Sequence, residues 1–345
     1  MASRGHGAGF RGAAAGAAGG ATRLPAAARL PAVSIFLILG ALAAGCPRET
    51  PAAGSAARVA AGRLENKNIK EASGLAPSLR SSGVLWVHND SGNEPALYAI
   101  GADGRHLGTV WLAGTDNMDW EDMASFTLGG KAHLLVADTG DNRGKRKSYT
   151  LYVMEEPDAA LLSRDKEHVA PPAWEVTFVY PDGAHDCEAV AVDPGVAGDG
   201  SDGRVYLLLK RTTPPRLFSV PLKPAVATPG EPLVAWELGR VALPGRPSAL
   251  RNLLPAPAGR YRGMPTGMDF SQDGRRAVVL TYGDVFLYSR REGESWFSAL
   301  VRDPVALPPH KLGQAEAVCF SADGKHIFVT EEKTGAALLR YDLEE

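Results

Sequence analysis

Four glutamates, Glu71, Glu121, Glu188 and Glu316, open segments of one form: an acidic residue, a small or polar one, then alternating apolar residues. Thr266 opens a fifth segment of the same kind. If the repeats stand around a common axis, residues recurring at one position meet in space, and several carboxylates meeting there repel one another unless protons or a cation intervene. A ring of oxygen donors with no accompanying His or Cys pattern suits Ca2+, which takes about six to eight oxygens, better than zinc. The structural alternative is that each Glu caps backbone amides at a repeat junction or pairs with Lys210, Arg211 or Arg143.

Two Asn/Asp/Gly loops fall at equivalent places in the first two copies, His88-Asn89-Asp90-Ser91-Gly92-Asn93 and Asp138-Thr139-Gly140-Asp141-Asn142-Arg143. Turn chemistry alone favours these residue types. Together with Asp119-Trp120-Glu121-Asp122, however, they carry more side-chain oxygens than turns need. The expected ligand-facing residues are therefore Asn89, Asp90, Asp119, Asp122, Asp138, Asp141 and Asn142. The most enzyme-like cluster is His185-Asp186-Cys187-Glu188, where His185 could serve as a general base beside Glu188. A surface histidine with no chemical role is the plainer reading. No G-x-S-x-G elbow, phosphate-binding G-x-x-x-x-G-K-[ST] loop or H-E-x-x-H motif occurs.

The elements that would position these residues are short strands. Each opening segment is followed by a turn and a second apolar run, and then by a third such as Leu97-Tyr98-Ala99-Ile100 or Val285-Phe286-Leu287-Tyr288. A fourth strand is expected over residues 107–112, 174–180, 234–243 and 295–301. Four strands repeated every 50 to 78 residues or so, with Asp-Gly turns at 103–104, 273–274 and 323–324, predict an all-β fold, a five-bladed β-propeller. The long second interval leaves room for a sixth blade. The last copy ends after three strands, so an N-terminal strand over 57–64 is expected to complete that blade and close the ring. Antiparallel pairing then brings the start of each first strand and the end of each second to one face, whose channel mouth is acidic.

Composition agrees with a globular chain. The 345 residues carry a formal net charge of -2 and 45% hydrophobic residues, which excludes a disordered chain and disfavours a nucleic-acid partner. Three cysteines form no C-x-x-C pair, and Cys187 and Cys319 are expected to be buried free thiols.

Residues 1–45 hold Arg4, Arg11, Arg23 and Arg29, no acid, and an apolar run over 32–42 that is too short to span a bilayer. That is the pattern of an export signal, and its end, Leu42-Ala43-Ala44-Gly45-Cys46, resembles a bacterial lipobox with Cys46 as the lipidated residue. Residues 46–57 read as a flexible tether and 58–345 as the folded domain. The expected address is the cell envelope, held to the membrane through Cys46; simple cleavage to a secreted soluble protein is the alternative.

Glu71-Ala72-Ser73-Gly74, Asn89-Asp90-Ser91-Gly92, Asp119-Trp120-Glu121-Asp122 and Asp138-Thr139-Gly140-Asp141-Asn142 resemble segments of bacterial exported propellers, including the SdiA-regulated and esterase-like phytase families. The resemblance covers most of residues 65–345 and implies a propeller, often calcium-binding, with no catalytic residue carried over. The functional expectation is an envelope-anchored propeller that binds calcium and, through it, a ligand or protein partner. A metal-dependent hydrolase of a phosphoester, ester or lactone is the rival from another class, and a metal-free interaction scaffold the third reading.

Overall fold

The computed structural model describes residues 56–164, 167–195, 203–223, 231–244, 259 and 261–344. Residues 1–45, read above as an export signal, Cys46 and nearly all of the segment read as a tether lie outside the described residues, as do 196–202 and 224–230.

Strands rich in Val, Leu, Tyr and Phe, separated by Gly and Asp turns, pair into five antiparallel-cored sheets among the described residues. Counting outward from the axis, blade I comprises Ala72–Pro77, Val84–Asn89, Ala96–Gly101 and His106–Leu112. Blade II comprises Trp120–Leu128, Lys131–Asp138, Tyr149–Glu155 and Trp174–Val179. Cys187–Asp193, Arg204–Leu209, Arg216–Pro221 and Trp236–Arg240 make blade III. Pro265–Phe270, Arg276–Thr281, Val285–Ser289 and Val305–Ala306 make blade IV. Blade V takes Ala315–Phe320, His326–Glu331 and Ala337–Leu343 from the C-terminus and Ala56–Arg63 from the N-terminus. The ring is therefore five-bladed and closed across the termini, as expected, although the closing strand begins at Ala56, inside the segment assigned to the tether.

The core is divided among the blade junctions. Five apolar clusters fill the wedges between successive blades, for example Phe126, Leu135 and Leu151 of blade II against Val190, Leu207 and Phe218 of blade III. Each wedge needs both neighbours, so a missing strand weakens the whole ring.

Carboxylates also clasp the inner strands. Asp122 accepts from Met123 N at 2.9 Å, and its second oxygen accepts from Val190 N at 2.7 Å and Met268 N at 3.1 Å, joining blades II, III and IV. Asp269 accepts from Phe270 N and Phe320 N, both at 2.8 Å, and joins blades IV and V. Asp122, expected among the mouth loops, thus sits within an inner strand and is spent on backbone amides.

Three expectations need correction. Residues 295–301 are not a strand: Ser295 accepts from Ser298 N and caps the helix Trp296–Leu300. Trp296, Ala299 and Leu300 recur at helical spacing and bury one face in the wedge between blades III and IV, where Trp296 stacks on Phe270 at 3.7 Å. Residues 234–243 divide, with Leu233–Val234 added in parallel to blade II and Trp236–Arg240 serving blade III. Trp120, grouped above with the mouth loops as part of Asp119-Trp120-Glu121-Asp122, is fully buried against the His88 ring, and its indole donates to Asp116 O. Between the third and fourth strands of blade II the chain forms a further strand, Glu167–Ala170, parallel to the outer strand of blade I.

Removing residues 56–63 from the folded domain should lower Tm by on the order of 10 °C and expose a sheet edge, read by calorimetry and by aggregation at the melting point. An unchanged Tm would contradict closure by that strand.

Candidate functional site

Each inner strand begins with a one-residue β-bulge at the same register position. Pairing skips Ser73, Glu121, Glu188, Thr266 and Glu316 in blades I to V. A bulge leaves one residue unpaired and re-aims its side chain, here at one mouth of the channel. The equivalent position in blade I is Ser73, not Glu71 as the segment alignment has it, because Ser73-Gly74 matches Thr266-Gly267 in register. Ser73 donates to Glu121 O at 2.5 Å and Thr266 to Ala315 O at 2.8 Å, so two of the five bulged residues bind the next blade. The other three present carboxylates. A second acidic position lies two residues upstream, at Glu71, Asp119 and Asp186.

These positions gather on neighbouring blades. Carboxylate oxygens of Asp90, Asp119 and Glu121 lie within 4.8 Å of one another, as do those of Glu121, Asp186 and Glu188, so Glu121 is shared by both triads. Glu121 is 2% exposed, and its Oε1 is buried with no hydrogen-bond partner. Gly140 makes room for it: a Cβ there would stand 2.0 Å from Glu121 Oε1 and 2.6 Å from Asp119 Oδ2. The cluster could hold a metal ion.

Two cations border the second triad. Lys210 pairs with Glu188, and Arg211 Nε donates to Asp186 Oδ2 at 2.6 Å. Lys210 Nζ also donates to the Tyr282 hydroxyl at 2.9 Å, which in turn donates to Glu316 Oε1 at 2.5 Å. Glu316 is thereby linked to Glu188 through side chains of blades III and IV. Glu71 is exposed and accepts from Asn93 at 2.6 Å.

Several expected loop residues support the backbone. Asn89 accepts from Lys70 N and Glu71 N at 2.9 and 3.1 Å and donates to Asn68 O at 2.8 Å. Asp138 accepts from Asp119 N at 3.1 Å and pairs with Arg146 at 2.5 Å. Asp141 accepts from Lys145 N, Arg146 N and the Tyr149 hydroxyl, while its own N–H donates to Asp186 Oδ1 at 2.8 Å. Asn142 accepts from Arg211. These bonds orient Asp119 and Asp186 from behind. His185 joins neither triad; its ring bonds Asp182 at 2.8 Å and lies against Tyr180 and Phe218. Cys187 and Cys319 are buried free thiols. Arg146 and Tyr282 carry no repeat signature, since each acts from a loop whose path only the fold defines.

Crowding raises the proton affinity of the mouth. Burial, then the charges of Asp119, Glu316 and Glu71, push Asp90 up to about 7. Burial and Asp186 raise Asp119; burial, Glu188 and Asp90 raise Glu121 well above the ordinary range. Glu332 is pushed up to about 9 by burial and by the charge and hydrogen bond of Glu316. Burial opposes the charge on Lys210, but Glu188 and Glu316 outweigh it and hold its pKa above the usual lysine value.

No family model matches this sequence, and no curated protein matches it in sequence. Among solved structures, the chain is similar to the PQQ-bound aldose sugar dehydrogenase of Streptomyces coelicolor, at 13% identity and a TM-score of 0.42, over 86% of this chain and 100% of that one. It is also similar to a gluconolactonase of Xanthomonas campestris, at 12% identity and a TM-score of 0.43, over 84% of this chain and 91% of that one. Fold and site together define a five-bladed propeller with a carboxylate cluster at one mouth.

Between pH of about 4 and 7 the folded, ion-free domain keeps a proton on Asp90 that the unfolded chain has lost, so that group's contribution to stability declines as pH rises. Calorimetry in chelator across that window should show the decline reduced in Asp90→Asn by about 1.4 kcal/mol per pH unit. Identical slopes in the two proteins would contradict the raised proton affinity of Asp90.

Proposed function

We propose that this propeller holds a divalent cation at its acidic mouth, with Ca2+ the best match, and binds a ligand or protein partner through it while anchored to a membrane by lipidated Cys46. The observation that carries the reading is the buried, unpartnered Oε1 of Glu121, the residue common to two carboxylate triads. A buried acceptor left without a donor costs free energy that a bound cation removes. The donors are all carboxylate oxygens, and no His or Cys enters either triad, which suits Ca2+ over zinc. Three carboxylates leave coordination positions for water and for an incoming ligand. The loop segments resembling the SdiA-regulated and esterase-like phytase propellers, often calcium-binding, accord with this reading.

Titration calorimetry of the mature domain with Ca2+ should give heat of binding and a Tm that rises with calcium. Glu121→Gln should weaken binding at least tenfold. Absence of both heat and Tm shift in the unaltered domain would leave the metal-free scaffold as the function.

One observation favours the hydrolase as a second reading: Lys210 and the Tyr282 hydroxyl, both hydrogen-bond donors of a kind that can hold a substrate oxygen, lie in the same mouth and connect Glu188 to Glu316. It requires calcium-dependent turnover of a phosphoester, ester or lactone that disappears in Glu188→Gln. Pure binding requires none.

The address has its own test. Cys46→Ser should move the protein from the detergent phase to the aqueous phase on Triton X-114 partition of producing cells. A wild-type protein already in the aqueous phase would support secretion in place of anchoring.

A further inference from the structure

We infer that Lys210 acts as the protein's own cation for the Glu121–Asp186–Glu188 triad, so that the mouth takes one divalent ion, at Asp90, Asp119 and Glu121, where two would otherwise fit. This inference rests on the proposed cation binding and goes beyond it by assigning the locus and the stoichiometry.

The argument is one of charge and place. Five carboxylates make up the two triads, with Glu121 common to both. The two that belong to the second triad alone each have a cationic partner: Glu188 has Lys210, and Asp186 has Arg211. No ion pair reaches Asp90, Asp119 or Glu121 among the described residues, and the orphaned oxygen belongs to Glu121. Positive charge from the chain thus neutralises one side of Glu121 and leaves the other to an ion from solution.

Lys210 is built into this place. The residue is only 8% exposed, and its ammonium is held by both Glu188 and the Tyr282 hydroxyl, which is itself fixed by Glu316. Its backbone N–H donates to Asp186 O at 3.1 Å, so the end of the Arg204–Leu209 strand is tied to the segment that carries the second triad. A buried ammonium so held occupies the space and supplies the charge that a second cation would need. Arg211 is the more exposed partner and binds Asp186 from the solvent side. Lys210 is therefore the residue that sets the number of ions.

The test is the number of Ca2+ ions bound per chain, measured by equilibrium dialysis on the mature domain and on Lys210→Gln and Lys210→Met, each checked for folding by circular dichroism. The expected result is one ion on the wild type and two on either variant, with Lys210→Gln/Glu188→Gln returning to one. Two ions on the wild-type domain would overturn the inference with no variant needed, even if neither variant folds. One ion on the wild type and one on a folded Lys210→Met would overturn it while leaving calcium binding intact. No ion on the wild-type domain would overturn the underlying reading of the site as well.

Discussion

One extra residue at the head of each inner strand governs the rest of the molecule. Without the bulge, an inner-strand residue at that point would pair like its neighbours and its side chain would follow the alternation of the strand. With it, three of the five bulged residues present carboxylates, while Ser73 and Thr266 bind the next blade. The fold can tolerate the lost pairing because the inner strands are joined to one another by the Asp122 and Asp269 clasps and by the apolar wedges.

The same position serves two ends. In blades I and IV a hydroxyl occupies it and donates to the next blade, which is a purely structural bond. In blades II, III and V a glutamate occupies it, and the charge has to be met by something else. Lys210 meets it at Glu188, and Tyr282 donates to Glu316. Glu121 alone among them has a buried oxygen with no partner. Unequal satisfaction of equivalent positions is what distinguishes a site from a repeat.

Much of the fold was legible because strand repeats leave local marks. The alternating runs, the Asp-Gly turns and the missing final strand together led to five blades and closure across the termini. Two errors had local causes as well. Residues 295–301 look like a fourth strand by position, yet Ser295 and the spacing of Trp296, Ala299 and Leu300 favour a capped helical turn. Glu71 drew the alignment by its charge, whereas Ser73-Gly74 beside Thr266-Gly267 carried the correct register.

The chain alone determined the repeat, the acidic character of one mouth and the burial of Cys187 and Cys319, and it offered Lys210 and Arg211 as carboxylate partners only in the structural alternative to a metal site. These follow from period, residue type and antiparallel geometry, which are local properties. Tertiary structure alone decided which carboxylates meet, that Gly140 yields space to Glu121 and that Tyr282 and Arg146 enter the network. It also sank Trp120 into the core and aimed His185 at Asp182. Distances of a few ångströms between blades depend on how the wedges pack and on where each bulge falls, and neither is written in any short stretch of sequence.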